Sequence, residues 1–219
     1  METNKHKKLQ KSRSSQACIR EGYRFYMSHF RRIFRVTWLI AIVFAVITAA
    51  TSAMPVIIAP DLLLPAIAIE AVAVILLLYI VGKRLRKRGV MEQTGPLKLQ
   101  SWLRHLGMIL IVTIVCIFVI SALTLFTSLP TFIMMAANWQ SKMGVLSGDP
   151  VGMPDYVLWL SIGVFLIAGF IQAYIWMTAL GPGYLMKGSI AQQEKERKEF
   201  YKRTNDNNHH EEAAIVYRS

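Results

Sequence analysis

The sequence predicts an all-α membrane protein: four transmembrane helices in two antiparallel hairpins, with an amphipathic interfacial helix before the first. Three observations predict it. Of the 219 residues 54% are hydrophobic, although the formal net charge is +12. The charges are segregated, and four long runs carry almost none. These runs neither alternate, as β-barrel strands would, nor show the polar face of a helix in a soluble bundle.

About 20 apolar residues of helix cross a hydrocarbon layer of about 30 Å. Val36 to Met54 is the first such run, and Leu62 to Val81 the second. Leu106 to Leu129 is the third and Tyr156 to Leu180 the fourth. The charged sequence ahead of the first run excludes a cleaved signal peptide. Residues 1–19 are expected to form a disordered basic leader, and 20–35 the interfacial helix. Residues 36–180 form the transmembrane domain, and 181–219 a charged cytoplasmic tail.

Lys and Arg fix the orientation. Ten precede residue 36, seven fall in 82–105 and seven follow residue 180, leaving Lys142 for the other two loops. Basic residues stay on the cytoplasmic side, so both termini are expected there. Tyr23, Tyr26, Phe30 and Ile33 recur at helical spacing among Arg24, Arg31, Arg32 and Arg35, the pattern of a helix lying in the inner leaflet. Lys83, Arg84, Arg86, Lys87 and Arg88 follow the second run as a stop-transfer cluster and, with those arginines, read as contacts for anionic lipid headgroups. Thr94, Gly95 and Pro96 mark a break, and Gly181-Pro182-Gly183 is read as the stop of the fourth helix. Ser28 to Ile33 can be laid over Ser101 to Leu106, a weak resemblance that could mark two parallel helical hairpins but is read first as the aromatics and arginines that any interfacial approach segment needs.

No catalytic signature is apparent. His6, His29, His105, His209 and His210 all lie outside the apolar runs, so no haem ligand pair or metal site is expected. Cys18 and Cys116 are too far apart in sequence for a CxxC pair. Asp61, Asp149 and Asp155 are isolated, and no nucleotide loop occurs. Lipid headgroups are the economical partner for the basic leader, not nucleic acid. No cofactor or metal is expected, and an enzymatic role is disfavoured.

Two intramembrane features rise above this background. Ala41, Ala45, Ala49 and Ala53 form an i, i+4 stripe on helix one, which allows close approach of a second helix in this chain or in another copy. Glu70 is the ionisable residue within the runs, and intramembrane acids are costly and functional by default. Counting about 1.5 Å per residue puts Glu70 roughly 12 Å below the outer end of helix two. Ser121 falls at roughly the same depth and Thr48 at roughly 9 Å, so a hydroxyl of Ser121 or Thr48 is the expected partner. Ala66 and Ala73 on the same face leave room for it, while Gln172 is expected to lie too deep.

Glu21-Gly22-Tyr23-Arg24-Phe25-Tyr26, followed by His29-Phe30-Arg31-Arg32-Ile33-Phe34-Arg35 and Trp38, resembles the lead-in to the first helix in uncharacterised bacterial polytopic membrane proteins. It also loosely resembles the membrane domain attached to some glycerophosphodiester phosphodiesterases. The resemblance implies a multi-pass protein of the bacterial inner membrane and carries no catalytic residues across. Sequences of this kind are sometimes labelled carotene-cleaving oxygenases, a β-propeller class with four iron-binding histidines that this chain does not supply. The favoured expectation is a non-enzymatic scaffold or accessory subunit that binds anionic lipid, a protein partner or a second copy of itself. The alternative is a small transporter or channel subunit with Glu70 as a proton or cation site. A polar lining facing Glu70 from several helices would favour the second, and a dry bundle the first.

Overall fold

The computed structural model describes residues 12–57, 60–91, 99–148 and 154–216. The described residues form helices α1 (Ser15–Ser28), α2 (Phe30–Ile57), α3 (Leu63–Lys87), α4 (Leu99–Arg104), α5 (Leu106–Leu146), α6 (Asp155–Met177) and α7 (Leu180–Val216), with a 3-10 turn at Pro60–Leu62. Four stretches are long and apolar enough to cross a membrane: Phe30–Pro55, Leu63–Lys87, Leu106–Leu146 and the one beginning at Tyr156. Leader residues 1–11 and the Thr94-Gly95-Pro96 break lie outside the described residues.

The bundle closes around α2. It packs against α3 and most extensively against α6, while α5 also packs against α6. Phe44, Ala73, Leu77, Val81, Ala173 and Met177 are buried together in the core between these helices. Large residues elsewhere on the spans, such as Leu64, Ile75, Phe118 and Phe126, are exposed. That inverts a soluble fold and suits lipid around the bundle.

Helices α1, α4 and α7 gather at one end. The Arg32 Nη2 donates to the Arg88 carbonyl at 3.2 Å, placing the start of α2 beside the end of α3. Arg104 pairs with Glu194 at 3.0 Å, tying α4 to α7. Arg24, Arg31, Arg32, Arg35, Lys83, Arg86, Lys87 and Arg88 are exposed at this basic end, with Arg84 half-buried. Arg84, Arg86 and Lys87 occupy the last turn of α3, where a helix C-terminus favours cations.

Several boundaries differ from the sequence expectation. The leader was expected to run to residue 19, but α1 begins at Ser15, whose preceding Ser14 side chain caps it by accepting from the Ala17 N–H. Arg13 N–H donates to Ser189 Oγ at 2.8 Å, and Ser189 Oγ donates back to the Arg13 carbonyl at 3.1 Å, so the strand of chain before α1 is clipped onto α7. The segment 20–35 is split at His29. Its apolar side is used inside the protein: Tyr26 and Ile33 are buried, and Tyr26 Oη donates to the Tyr174 carbonyl at 3.1 Å. A Cβ on Gly22 would lie 2.5 Å from the Pro182 backbone, so α1 and α7 cross with their backbones nearly touching.

Gly181-Pro182-Gly183 does not stop a helix but opens one. The turn comes at Thr178–Ala179, and Pro182 sits in the first turn of α7, where its missing N–H has no intrahelical partner to lose. Pro130, the expected end of the third span, lies inside the 41-residue α5. That helix is about 61 Å long, twice the hydrocarbon thickness. Pro182 and Pro130 show the same physics: a proline ends a helix only where the freed carbonyl and the ring have no tolerated position. The two approach segments share a local feature at a register other than that of the overlay. His29 and His105 each break the chain before a span, and each ring Nδ1 lies against the carbonyl four residues back, at 3.0 Å from Phe25 and 2.9 Å from Ser101. The sequence overlay instead matched Ser28 with Ser101.

Cys18 is fully buried at the junction of α1, α5 and α7, beside Cys116, Met186 and Ile190. Burial pushes its thiol above the ordinary range, against the opposing Arg13 charge and a hydrogen bond with Ser189. The folded state thus favours the neutral thiol. Its contribution to stability is intact below the ordinary thiol pKa and is lost as pH rises through the raised folded value. In a Cys116→Ala background, N-ethylmaleimide at pH 8 is expected to label Cys18 at least tenfold more slowly in the folded chain than in SDS. Equal rates would mean that α1 is not docked on α7.

Candidate functional site

The site is built on α2, where Thr48 and Thr51 are spaced by three and therefore share a face. Both are buried. Across from them stands Glu70 of α3. Thr48 Oγ1 donates to Glu70 Oε1 at 2.9 Å, and Thr51 Oγ1 lies 3.1 Å from Glu70 Oε2. Ala66 and Ala73, one turn to either side of Glu70, are both buried, and their small side chains let α3 come close to α2 at this height.

Thr51 Oγ1 also lies 3.0 Å from the Thr48 carbonyl and 3.1 Å from the Ile47 carbonyl. One hydroxyl proton therefore faces backbone and carboxyl acceptors together. This gives two complete hydrogen-bond arrangements. With Glu70 ionised, Thr48 and Thr51 both donate to the carboxylate. With Glu70 protonated, its Oε2–H donates to Thr51 Oγ1, whose own proton goes to the helix backbone. The two arrangements differ by the turn of one hydroxyl, and each leaves the carboxyl and both threonine hydroxyls paired.

Glu70 forms part of the wall of a cavity of about 270 Å3. All four spans line it: Thr48, Thr51 and Ser52 from α2, Glu70 from α3, Thr124, Ser128 and Thr131 from α5, and Gln172 from α6. Thr124 Oγ1 is buried and has no hydrogen-bond partner among the described residues. Pro55, Leu63, Phe132 and Met135 continue the walls toward the end opposite the basic one. Farther toward the basic end along α2, α3 and α6, Phe44, Leu77 and Ala173 belong to the packed core.

The partner expected for Glu70 is thus found in part. Thr48 is there. Ser121 is exposed on α5 and does not bond Glu70. Gln172, expected out of reach, lines the cavity. Depth counting failed because it assumed that all helices begin in one plane. Gln172 lies 17 residues into α6 and Glu70 only seven into α3, so α6 begins farther out. The buried pair Asn138–Ser161, with Asn138 Nδ2 donating to Ser161 Oγ at 2.9 Å, joins α5 to α6 in that overhang. Asn138 lay beyond the expected span and was missed. Thr51 was missed too, although its spacing from Thr48 was legible.

The alanine stripe finds its partner within the chain. Ala41, Ala45 and Ala49 are buried, and Ala53 is half-buried. A Cβ on Gly169 of α6 would lie 3.1 Å from Ala45 Cα and 3.0 Å from Thr48 Cβ. The stripe therefore brings α6 onto α2 directly beside Thr48, and close packing and polar site are one construction. Among the described residues, no group of three His, Cys, Asp or Glu could hold a metal ion. Comparison with protein-family models, with curated proteins and with solved structures gives no match.

Proposed function

We propose that the chain is a small membrane carrier in which Glu70 is the proton or cation site. One observation carries this reading: the acid within the spans stands at a cavity lined with polar groups from all four of them. A scaffold needs only packing, and a dry interior would have supported that role. Polar groups held at membrane depth are costly, and here they converge on one acid. The packed core on the basic side favours a one-sided carrier site over an open pore.

The remaining features fit this role in a bacterial inner membrane. The spans form two antiparallel hairpins with both termini in the cytoplasm, as the basic end implies. There Arg24, Arg31, Arg32, Arg35 and the cluster from Lys83 to Arg88 contact anionic headgroups, and α1 lies at the interface with its arginines toward lipid. The resemblance to multi-pass bacterial proteins is consistent with this placement. A cysteine introduced at Ser147, beyond the loop end of α5, is expected to react with a membrane-impermeant maleimide added outside intact cells. Labelling from the inside alone would reverse the orientation.

Infrared difference spectroscopy on the chain in lipid nanodiscs tests the site. A carboxylic-acid C=O band is expected to grow and fade reversibly with pH and to vanish in Glu70→Gln. No reversible band at Glu70 would return the chain to a structural role.

A further inference from the structure

We propose that the cavity beside Glu70 takes a small organic ammonium ion in exchange for the Glu70 proton. The inference rests on the carrier reading and names its substrate class.

The walls define the chemistry. Among the described lining residues Glu70 is the sole charged or titratable group, which matches a monocation. The remaining polar lining is uncharged: hydroxyls and the Gln172 amide. Phe132 and Phe165 stand in the same walls, and aromatic faces attract a desolvated ammonium.

Size separates an organic ion from a metal. A bare hard metal cation needs a close cage of oxygens, at about 2.3–2.6 Å for calcium and about 2.0–2.1 Å for magnesium. A cavity of about 270 Å3 is far wider than that cage. It holds about nine waters, or a ligand of about a dozen heavy atoms, at the low end of small-molecule sites. A body of that size with one positive charge and an apolar flank fills it.

The exchange balances in charge. The ammonium ion enters, the Glu70 O–H bond breaks, the proton leaves to water, and the carboxylate becomes the counter-ion. Thr51 turns its hydroxyl from the Thr48 carbonyl to Glu70 Oε2 in the same step. The site holds one cation before and after and its net charge stays zero, so the proton and the ammonium ion compete for a single carboxylate and neither leaves a buried charge unpaired.

Benzyltrimethylammonium is a suitable probe. Titration calorimetry on the chain in nanodiscs, run in two buffers of different ionisation heat, counts the protons released. Up to one proton per bound ion is expected, with affinity rising about tenfold per pH unit while Glu70 is protonated. Glu70→Gln should weaken binding at least tenfold and abolish the pH dependence. Phe132→Ala should weaken it about two- to tenfold and keep the pH slope. Binding with no proton release in the wild-type chain would overturn the proposal, and that count needs no variant. So would proton release driven by sodium or potassium chloride but not by the ammonium ion. In that case a titrating Glu70 band would leave the carrier reading standing while the substrate class fell.

Discussion

Gly169→Ala is expected to destabilise the folded chain by about 1–3 kcal/mol, and Gly169→Leu to prevent α6 from docking on α2. The added Cβ would sit 3.1 Å from Ala45 Cα, 3.2 Å from the Ala45 carbonyl oxygen and 3.0 Å from Thr48 Cβ. Two of these neighbours are backbone atoms of a helix, and backbone cannot rotate aside as a flexible side chain can. Helix α2 would have to move bodily, and the polar pair Thr48–Glu70 would move with it. The control lies on the same helix: a Cβ on Gly163 meets nothing within 4 Å. Gly163→Ala should therefore be neutral or stabilising by up to about 1 kcal/mol, through helix propensity alone. Thermal unfolding in detergent, followed by fluorescence-detected size exclusion, separates the two variants. Equal midpoints for Gly163→Ala and Gly169→Ala would mean that the α2–α6 contact is looser than described.

That contact also shows how much of the fold was legible. The spans could be read because hydrocarbon tolerates neither charges nor unpaired backbone groups, so the constraint is written in every residue of a run. The alanine stripe could be read because close approach demands small residues in register. Its partner could not, because Gly169 alone makes the complementary gap and one glycine has no periodicity. Helix ends were read less well. Read locally, Pro130 and Pro182 are both stop signals, yet one lies within a long span and the other in a first turn. Both positions depend on neighbours that a local reading does not include.

For the site, the acid was legible and its surroundings only half so. Glu70 is conspicuous because an ionisable group in a run of Ala, Ile and Val is expensive. Thr48 was found by depth. Thr51 needed the helical spacing from Thr48 to be taken as a face, and Gln172 needed the offset between α3 and α6. That offset is set by the overhang of α5 and α6, fixed in part by Asn138–Ser161, a contact between residues 23 apart. Such a pair leaves no local pattern, which is why the convergence of four helices on one cavity emerges only from the fold.

Glu70→Gln is expected to leave the fold intact within about 1 kcal/mol and to abolish the proposed exchange of protons for cations. Glutamine reproduces the two hydrogen bonds of the protonated arrangement to Thr48 and Thr51 and adds a second N–H. Its Oε1 accepts from Thr48 Oγ1 as Glu70 Oε1 does at 2.9 Å. Its Nε2 can donate to Thr51 Oγ1 across the 3.1 Å now held by Oε2. The hydroxyl of Thr51 then stays on the Thr48 carbonyl, 3.0 Å away. Thr48 and Thr51 both keep their partners, so little stability is lost. The amide cannot ionise, and the carboxylate arrangement is never reached. Glu70→Ala should differ in kind. It leaves the Thr48 hydroxyl without its carboxyl acceptor, enlarges the cavity, and should cost about 1–3 kcal/mol as well as the exchange. Proteoliposomes carrying a pH-sensitive dye, with an imposed ammonium-ion gradient, read the exchange, and unfolding midpoints read the fold. A Glu70→Gln chain that still exchanges would refute the assignment of Glu70, and one that unfolds like Glu70→Ala would refute the two-arrangement network.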